Sequence, residues 1–157
     1  MKKCFLILCA FALTTTAATA QVANVGADKT AVTAPAKRAD ATVKFTELKH
    51  DFGKIKQGVP VTYDFVFSNA GSQPVVIESA TASCGCTTPT WPKTPVMKSK
   101  TDKVSAGFNA ASVQPFEKSI FVKVAGYDLP IELKITGEVL STEEYAKYES
   151  AKGKKTS

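Results

Sequence analysis

The stretch "VTYDFVFSN" places Val61, Tyr63, Phe65 and Phe67 on one face and Thr62, Asp64, Val66 and Ser68 on the other. A period of two is the signature of a β-strand with one buried face. "NAGSQP" then reads as a turn into a second strand, "VVIESATAS". Upstream, "VKFTELKHDFG" predicts a first strand, with "KIKQG" as a short continuation past a glycine break. Downstream, "KVSAGFN" and "KSIFVKVAG" predict strands joined by the loop "NAASVQPF". "PIELKITGEVL" closes the series, with Ile131, Leu133 and Ile135 opposite Glu132, Lys134 and Thr136. The expectation is an all-β, immunoglobulin-like antiparallel β-sandwich of about seven strands over residues 43–140. Phe45, Phe52, Phe65, Phe67, Phe108, Phe121, Ile131 and Ile135 are the expected core.

The pattern changes at both ends. After Leu140, Ser141 and Glu144 have the spacing of a capping box, and Glu143 and Lys147 that of a helix surface pair. Residues 141–157 therefore predict a short helix and then a disordered basic end, where Lys152, Lys154 and Lys155 read as solvated. At the start, "MKK", the apolar run "CFLILCAFAL" and the small-residue exit "TTTAATA" have the layout of a secretory signal peptide, residues 1–20. The apolar run is too short to span a bilayer. Residues 21–42, rich in Ala, Thr, Val and Lys, predict a flexible linker. The chain is expected to be exported, periplasmic or secreted, and soluble once cleaved, with no transmembrane segment.

Charge adds little. The chain carries a formal net charge of +6, but its only arginine is Arg38. Readers of nucleic acid rely on arginine for bidentate contacts, so scattered lysines do not point to nucleic acid.

The segment "HDFGKIKQGVPVTYDFVFSNAGSQPVVIESATASCGCTTPTWP" joins an Asp-Phe-Gly-x-Ile opening, an alternating strand with an Asn-x-Gly turn, and Ser-Cys-Gly-Cys-Thr before a proline. It resembles DUF1573, a bacterial secreted domain family of unknown function related in fold to the immunoglobulin-like modules of the ASPM, SPD-2 and hydin group. The resemblance covers about Phe45 to Val139, essentially the whole expected domain. It implies the sandwich and export, and it implies no activity. One departure is the segment "VMKSKTDKV", where the family usually has a Pro-Gly-Glu-like turn, so a differently shaped turn is expected around residues 98–102.

Candidate chemistry rests on Cys84-Gly85-Cys86. Signal cleavage would remove Cys4 and Cys9 and leave these two as the only cysteines in an oxidising compartment. Gly85 permits the bend that brings residues i and i+2 within bridging distance. Such a bridge closes a tiny loop and staples the fold weakly, so a disulfide turn and a redox-active pair both remain open. As thiolates the pair could instead clasp Cu(I). A closed zinc site needs more ligands than His50 can add. A cysteine nucleophile would need a base, and His50 has only its strand neighbour Asp51 to orient it, on the opposite face. Asp51-Phe52-Gly53 lacks the surroundings of the kinase motif. His50 reads as an edge-strand residue and Trp91, between Pro89 and Pro92, as a plug over one end of the sandwich; both are kept as binding-loop candidates. The reading is a non-enzymatic binding or assembly module for an envelope or secreted protein, with a thiol-based role of Cys84 and Cys86 as the alternative and no required cofactor.

Overall fold

A computed structural model describes residues 35–153. The expected signal peptide, most of the linker and the basic end at 154–157 lie outside the described residues. Eight strands and one helix follow in order: β1 Val43–Phe45, β2 Lys49–Lys56, β3 Val61–Asn69, β4 Ile77–Ala82, β5 Thr87–Thr90, β6 Thr101–Phe108, β7 Pro115–Val124, β8 Ile131–Leu140 and α1 Thr142–Gly153. They form two four-stranded sheets, ordered β1-β3-β6-β5 and β2-β8-β7-β4. The all-β sandwich expected from the alternation is the observed fold.

The core is built as the period of two dictates. Phe65 and Phe67 of β3, with Val104 and Ala106 of β6, face Ile120, Val122 and Val124 of β7 and Leu133 and Ile135 of β8; all are buried. Burying each large apolar side chain contributes about 1.5–3 kcal/mol. Phe45 and Phe52 are only half-buried against this core. Phe121 is a correction: it is 39% exposed, on the outer face of β7. The inner positions of that strand belong to Phe116, Ile120, Val122 and Val124, so its odd-numbered residues must face outward.

Three further features depart from the expected strand plan. "VKFTELKHDFG" is not one strand: the chain changes sheets at residues 46–48, so β1 pairs with β3 and β2 pairs with β8. The β2–β8 pairing is parallel, within an otherwise antiparallel sandwich. "TTPT", which the alternation assigns to no strand, forms the edge strand β5 beside β6. The linker boundary also moves. Lys37 exchanges hydrogen bonds with Asp128, Thr42 Oγ1 lies 2.6 Å from the Tyr127 hydroxyl, and Ala39 is 1% exposed. Residues 37–42 therefore belong to the folded unit.

Two glycines mark close approaches. At Gly137 of β8, an added Cβ would lie 2.8 Å from the Gly53 carbonyl oxygen and 2.8 Å from Phe116 Cζ. Gly53, at φ 65°, sits in the bulge where the β2–β8 register shifts. At Gly71, a Cβ would lie 2.6 Å from Thr42 Cγ2. The Asn-x-Gly turn owes its asparagine to a different need. Asn69 is fully buried; its amide donates to the carbonyls of Gln73 and Val96, each at 2.8 Å, and its Oδ1 accepts from Gly71 N–H at 2.9 Å. The departure from the family pattern is a four-residue turn: Lys100 N–H donates to Met97 O at 3.0 Å, with Ser99 at φ 61°.

The helix starts as its sequence predicts. Glu144 Oε2 accepts from Ser141 N–H and Oγ–H, while Glu144 N–H donates back to Ser141 Oγ. These bonds hold the Glu144 carboxyl below the usual carboxylate range.

Candidate functional site

β4 is one edge of its sheet and β5 is the edge of the other, so the chain must cross between sheets at residues 83–86. Cys84-Gly85-Cys86 makes that crossing, and its two sulfurs are joined in a disulfide with the Cα atoms 5.4 Å apart. That spacing is ordinary for a bridge. Backbone hydrogen bonds pin the turn on every side: Ser83 N–H to Ser119 O, Thr87 N–H to Cys84 O and Asn109 N–H to Cys86 O. Thr87 is 4% exposed, and its hydroxyl lies 3.7 Å from Cys84 Sγ and 4.0 Å from Cys86 Sγ.

The same end of the sandwich gathers two more loops. Gly58 N–H donates to Ala110 O, Gln57 N–H to Leu140 O, and Gln57 Nε2 to Ala111 O. Ala110 is buried and holds φ 50°, a left-handed conformation that non-glycine residues adopt rarely. Val59 and Val113 on these two loops are 49% and 46% exposed. Between the loops, Cys86 borders two cavities. One, of about 190 Å³, is shared with Pro60, Thr62 and Phe108; the other, of about 90 Å³, with Asn109, Gln114 and Lys118. A wider hollow of about 550 Å³ lies apart, on the outer side of the other sheet over Gly137 and Phe116, and Cys84, Cys86, Trp91 and His50 do not line it.

The two binding-loop candidates are not brought to this end, nor to each other. Trp91 extends the inward alternation of Thr87 and Pro89 and packs half-buried against the core on the β4–β5 side. It covers a side seam and not an end of the sandwich. Lys93 Nζ sits 3.2 Å from its ring centroid, and its indole Nε1 is buried without a hydrogen-bond partner. His50 is on β2, on the opposite side, and turns inward. Its ring stacks on Tyr63 across the two sheets at 3.5 Å, and its Nδ1 lies 3.4 Å from Glu47 Oε1. A hydrogen bond to Glu47, followed by burial, raises the pKa of the Tyr63 hydroxyl. His50 is therefore part of the cross-sheet packing. Because sequence reveals strand parity but not which sheet faces which, this stack had no signal in the chain. The Val59 and Val113 loops also went unread; two exposed valines flanked by turn residues were their only trace.

In the closed state neither sulfur is a thiolate, so a Cu(I) clasp would first require reduction. Among the described residues no group of three or more His, Cys, Asp and Glu side chains converges as a metal site. A bridge that closes a three-residue loop stabilises by only about 1.5 kcal/mol through restriction of the unfolded chain. Replacing both Cys84 and Cys86 with alanine is thus expected to lower stability by no more than that, measured by urea denaturation.

Solved structures of similar shape bear on the class. PapD-like domain 7 of human CEP192 aligns with a TM-score of 0.56 at 11% identity, over 68% of this chain and 90% of that domain. A protein of unknown function from Porphyromonas gingivalis W83 aligns at 0.53 and 14% identity, over 62% of this chain and 46% of that one. The secreted serine protease VesC of Vibrio cholerae aligns at 0.51 and 12% identity, over 64% of this chain and only 23% of the protease. At these identities the likeness shows the fold alone, an immunoglobulin-like β-sandwich. No curated protein matches the chain. The model of the family described as "Protein of unknown function (DUF1573)" matches residues 43–139, and the chain belongs to that family.

Proposed function

We propose that this chain is a non-enzymatic binding or assembly module acting outside the cytoplasm, and that its contact surface is the end of the sandwich carrying the disulfide turn. The observation that carries this reading is the cross-tied pair of loops presenting Val59 and Val113 to solvent beside two cavities. Loops fixed by backbone hydrogen bonds lose little freedom on binding, which is the condition for a preorganised interface. Paired exposed apolar side chains on such loops supply the desolvated centre that a protein partner needs. The extracytoplasmic setting rests on the signal-peptide pattern at residues 1–20. No helix among the described residues is long and apolar enough to cross a membrane.

The test is a co-purification census from envelope extracts with wild type and the double variant V59D/V113D. Exposed positions tolerate such changes within about 0.5 kcal/mol, so the melting curve should not move. The expected result is loss of a specific partner with folding intact. Retention of the same partners by the double variant would place the interface elsewhere.

A further inference from the structure

We propose that the Cys84–Cys86 disulfide is a thiol–disulfide exchange site that oxidises dithiols of a polypeptide substrate, with Cys86 as the sulfur attacked and Cys84 as the leaving group. The proposal adds to the binding role a stoichiometric chemical step at the same end of the sandwich, one disulfide per chain, and its test reads the state of the sulfurs and not the capture of a partner.

The bridge is not a staple of the fold. It closes three residues and restricts the unfolded chain weakly. The backbone around it is held without it, by the hydrogen bonds of Ser83, Thr87 and Asn109 to Ser119, Cys84 and Cys86. Opening the bridge therefore leaves both cysteines positioned to close again, as a reversible pair requires. The two sulfurs also differ in surroundings. Cys86 borders both cavities at this end, whereas Cys84 lines neither. An incoming thiolate reaches Cys86, and Lys118 in the smaller cavity supplies a cation favourable to its approach. Cys84 has the nearer hydroxyl. Thr87 Oγ1, in a buried side chain, lies 3.7 Å from its sulfur and can donate to the departing thiolate. A leaving thiolate stabilised in this way leaves faster.

The chemistry balances in two steps. A substrate thiolate attacks Cys86 Sγ; the Cys84–Cys86 bond breaks, and Cys84 leaves as a thiolate that takes up a proton. The second thiolate of the substrate then attacks its own sulfur in the mixed disulfide. The substrate disulfide forms, and Cys86 leaves and is protonated. The substrate dithiol is oxidised by two electrons and the protein disulfide is reduced to a dithiol.

The experiment uses the oxidised protein under native conditions, with glutathione as a monothiol and a synthetic peptide holding two cysteines as the dithiol, followed by alkylation and mass measurement. Reduction of Cys84–Cys86 with an unchanged circular dichroism spectrum, and matching oxidation of the peptide, is the expected result. The Cys84→Ser variant, reduced and given glutathione disulfide, should form the mixed disulfide at Cys86 about ten-fold faster than Cys86→Ser forms it at Cys84. T87V should slow reduction of the closed pair about ten-fold, the loss of one hydrogen bond to a charged group, while T87S keeps the rate. A pair that stays closed to glutathione until denaturant is added would overturn the proposal. Equal rates for the two single-cysteine variants would overturn the assignment of Cys86.

Discussion

Replacing Asn69 with alanine should be the most damaging polar substitution in the domain, at about 2–3 kcal/mol. The estimate is built from the groups it would strand. The amide of Asn69 donates to the carbonyls of Gln73 and Val96 and accepts from the N–H of Gly71; Val96 O would keep a second donor in Val75 N–H, so Gly71 N–H and Gln73 O are the groups left unpaired. Leaving a buried polar group without a partner costs about 1–3 kcal/mol. Its backbone is equally committed, donating to Lys100 O and accepting from Ser99 N–H. One residue thus joins the end of β3, the turn after it, the Val96 segment and the turn into β6. For a domain of this size the melting temperature should fall by roughly 10–15 °C. Asn69→Asp is no rescue. It keeps the acceptor for Gly71 but turns the donor toward Gln73 and Val96 into a charged oxygen facing two carbonyls. A loss under about 1 kcal/mol for Asn69→Ala in urea denaturation would show that water replaces the amide at this site.

Gly137→Ala should cost about 2–3 kcal/mol, a large effect for one methyl group. Two obstacles meet the new Cβ: the Gly53 carbonyl oxygen and the Phe116 ring, each 2.8 Å away. The first is backbone in a bulge and yields little. The second packs against Phe108, which stacks on it at 4.0 Å, and against Phe52 at 6.5 Å, so a displaced ring disturbs both neighbours. Phe108 borders both cavities beside Cys86. The strain is therefore expected to reach the disulfide end, visible as amide shift changes at Thr87 and Asn109. Shortening the ring with Phe116→Leu should recover about 1 kcal/mol in the double variant, a coupling that thermodynamic cycles can measure. Strict additivity of the two changes would mean that Gly53 alone opposes the methyl group.

How far the chain discloses all this depends on the element. β3, β6 and β8 were readable because each alternates cleanly and keeps its partners within one sheet. In β7 both faces carry apolar residues, which is why Phe121 was expected inside. Its own neighbours held the answer: Glu117, Ser119 and Lys123 share its face, whereas Phe116, Ile120, Val122 and Val124 share the other. β5 was hidden because Thr-Thr-Pro-Thr is four residues long, has no apolar alternation and holds a proline, which is tolerated at a sheet edge. The switch between β1 and β2 did leave a mark, a change of phase: the inward positions are Val43 and Phe45 in β1 but His50 and Phe52 in β2. The cysteine turn was legible as a site by residue type and spacing. That it links the two sheet edges, beside loops offering Val59 and Val113, follows only from pairing partners far away in sequence.

The parallel union of β2 with β8 sets a timetable for the chain. His50 waits for Thr136, 86 residues later, before its carbonyl finds the hydroxyl it meets in the finished fold. β8 also lies between β2 and β7, so the second sheet has no interior until the last strand arrives. Contacts of such long sequence separation close late and slowly. A chain emerging amino-terminus first from a ribosome must then stay open until almost all of it has been made. Its exposed strand edges need protection until β8 arrives to fill the middle of the second sheet.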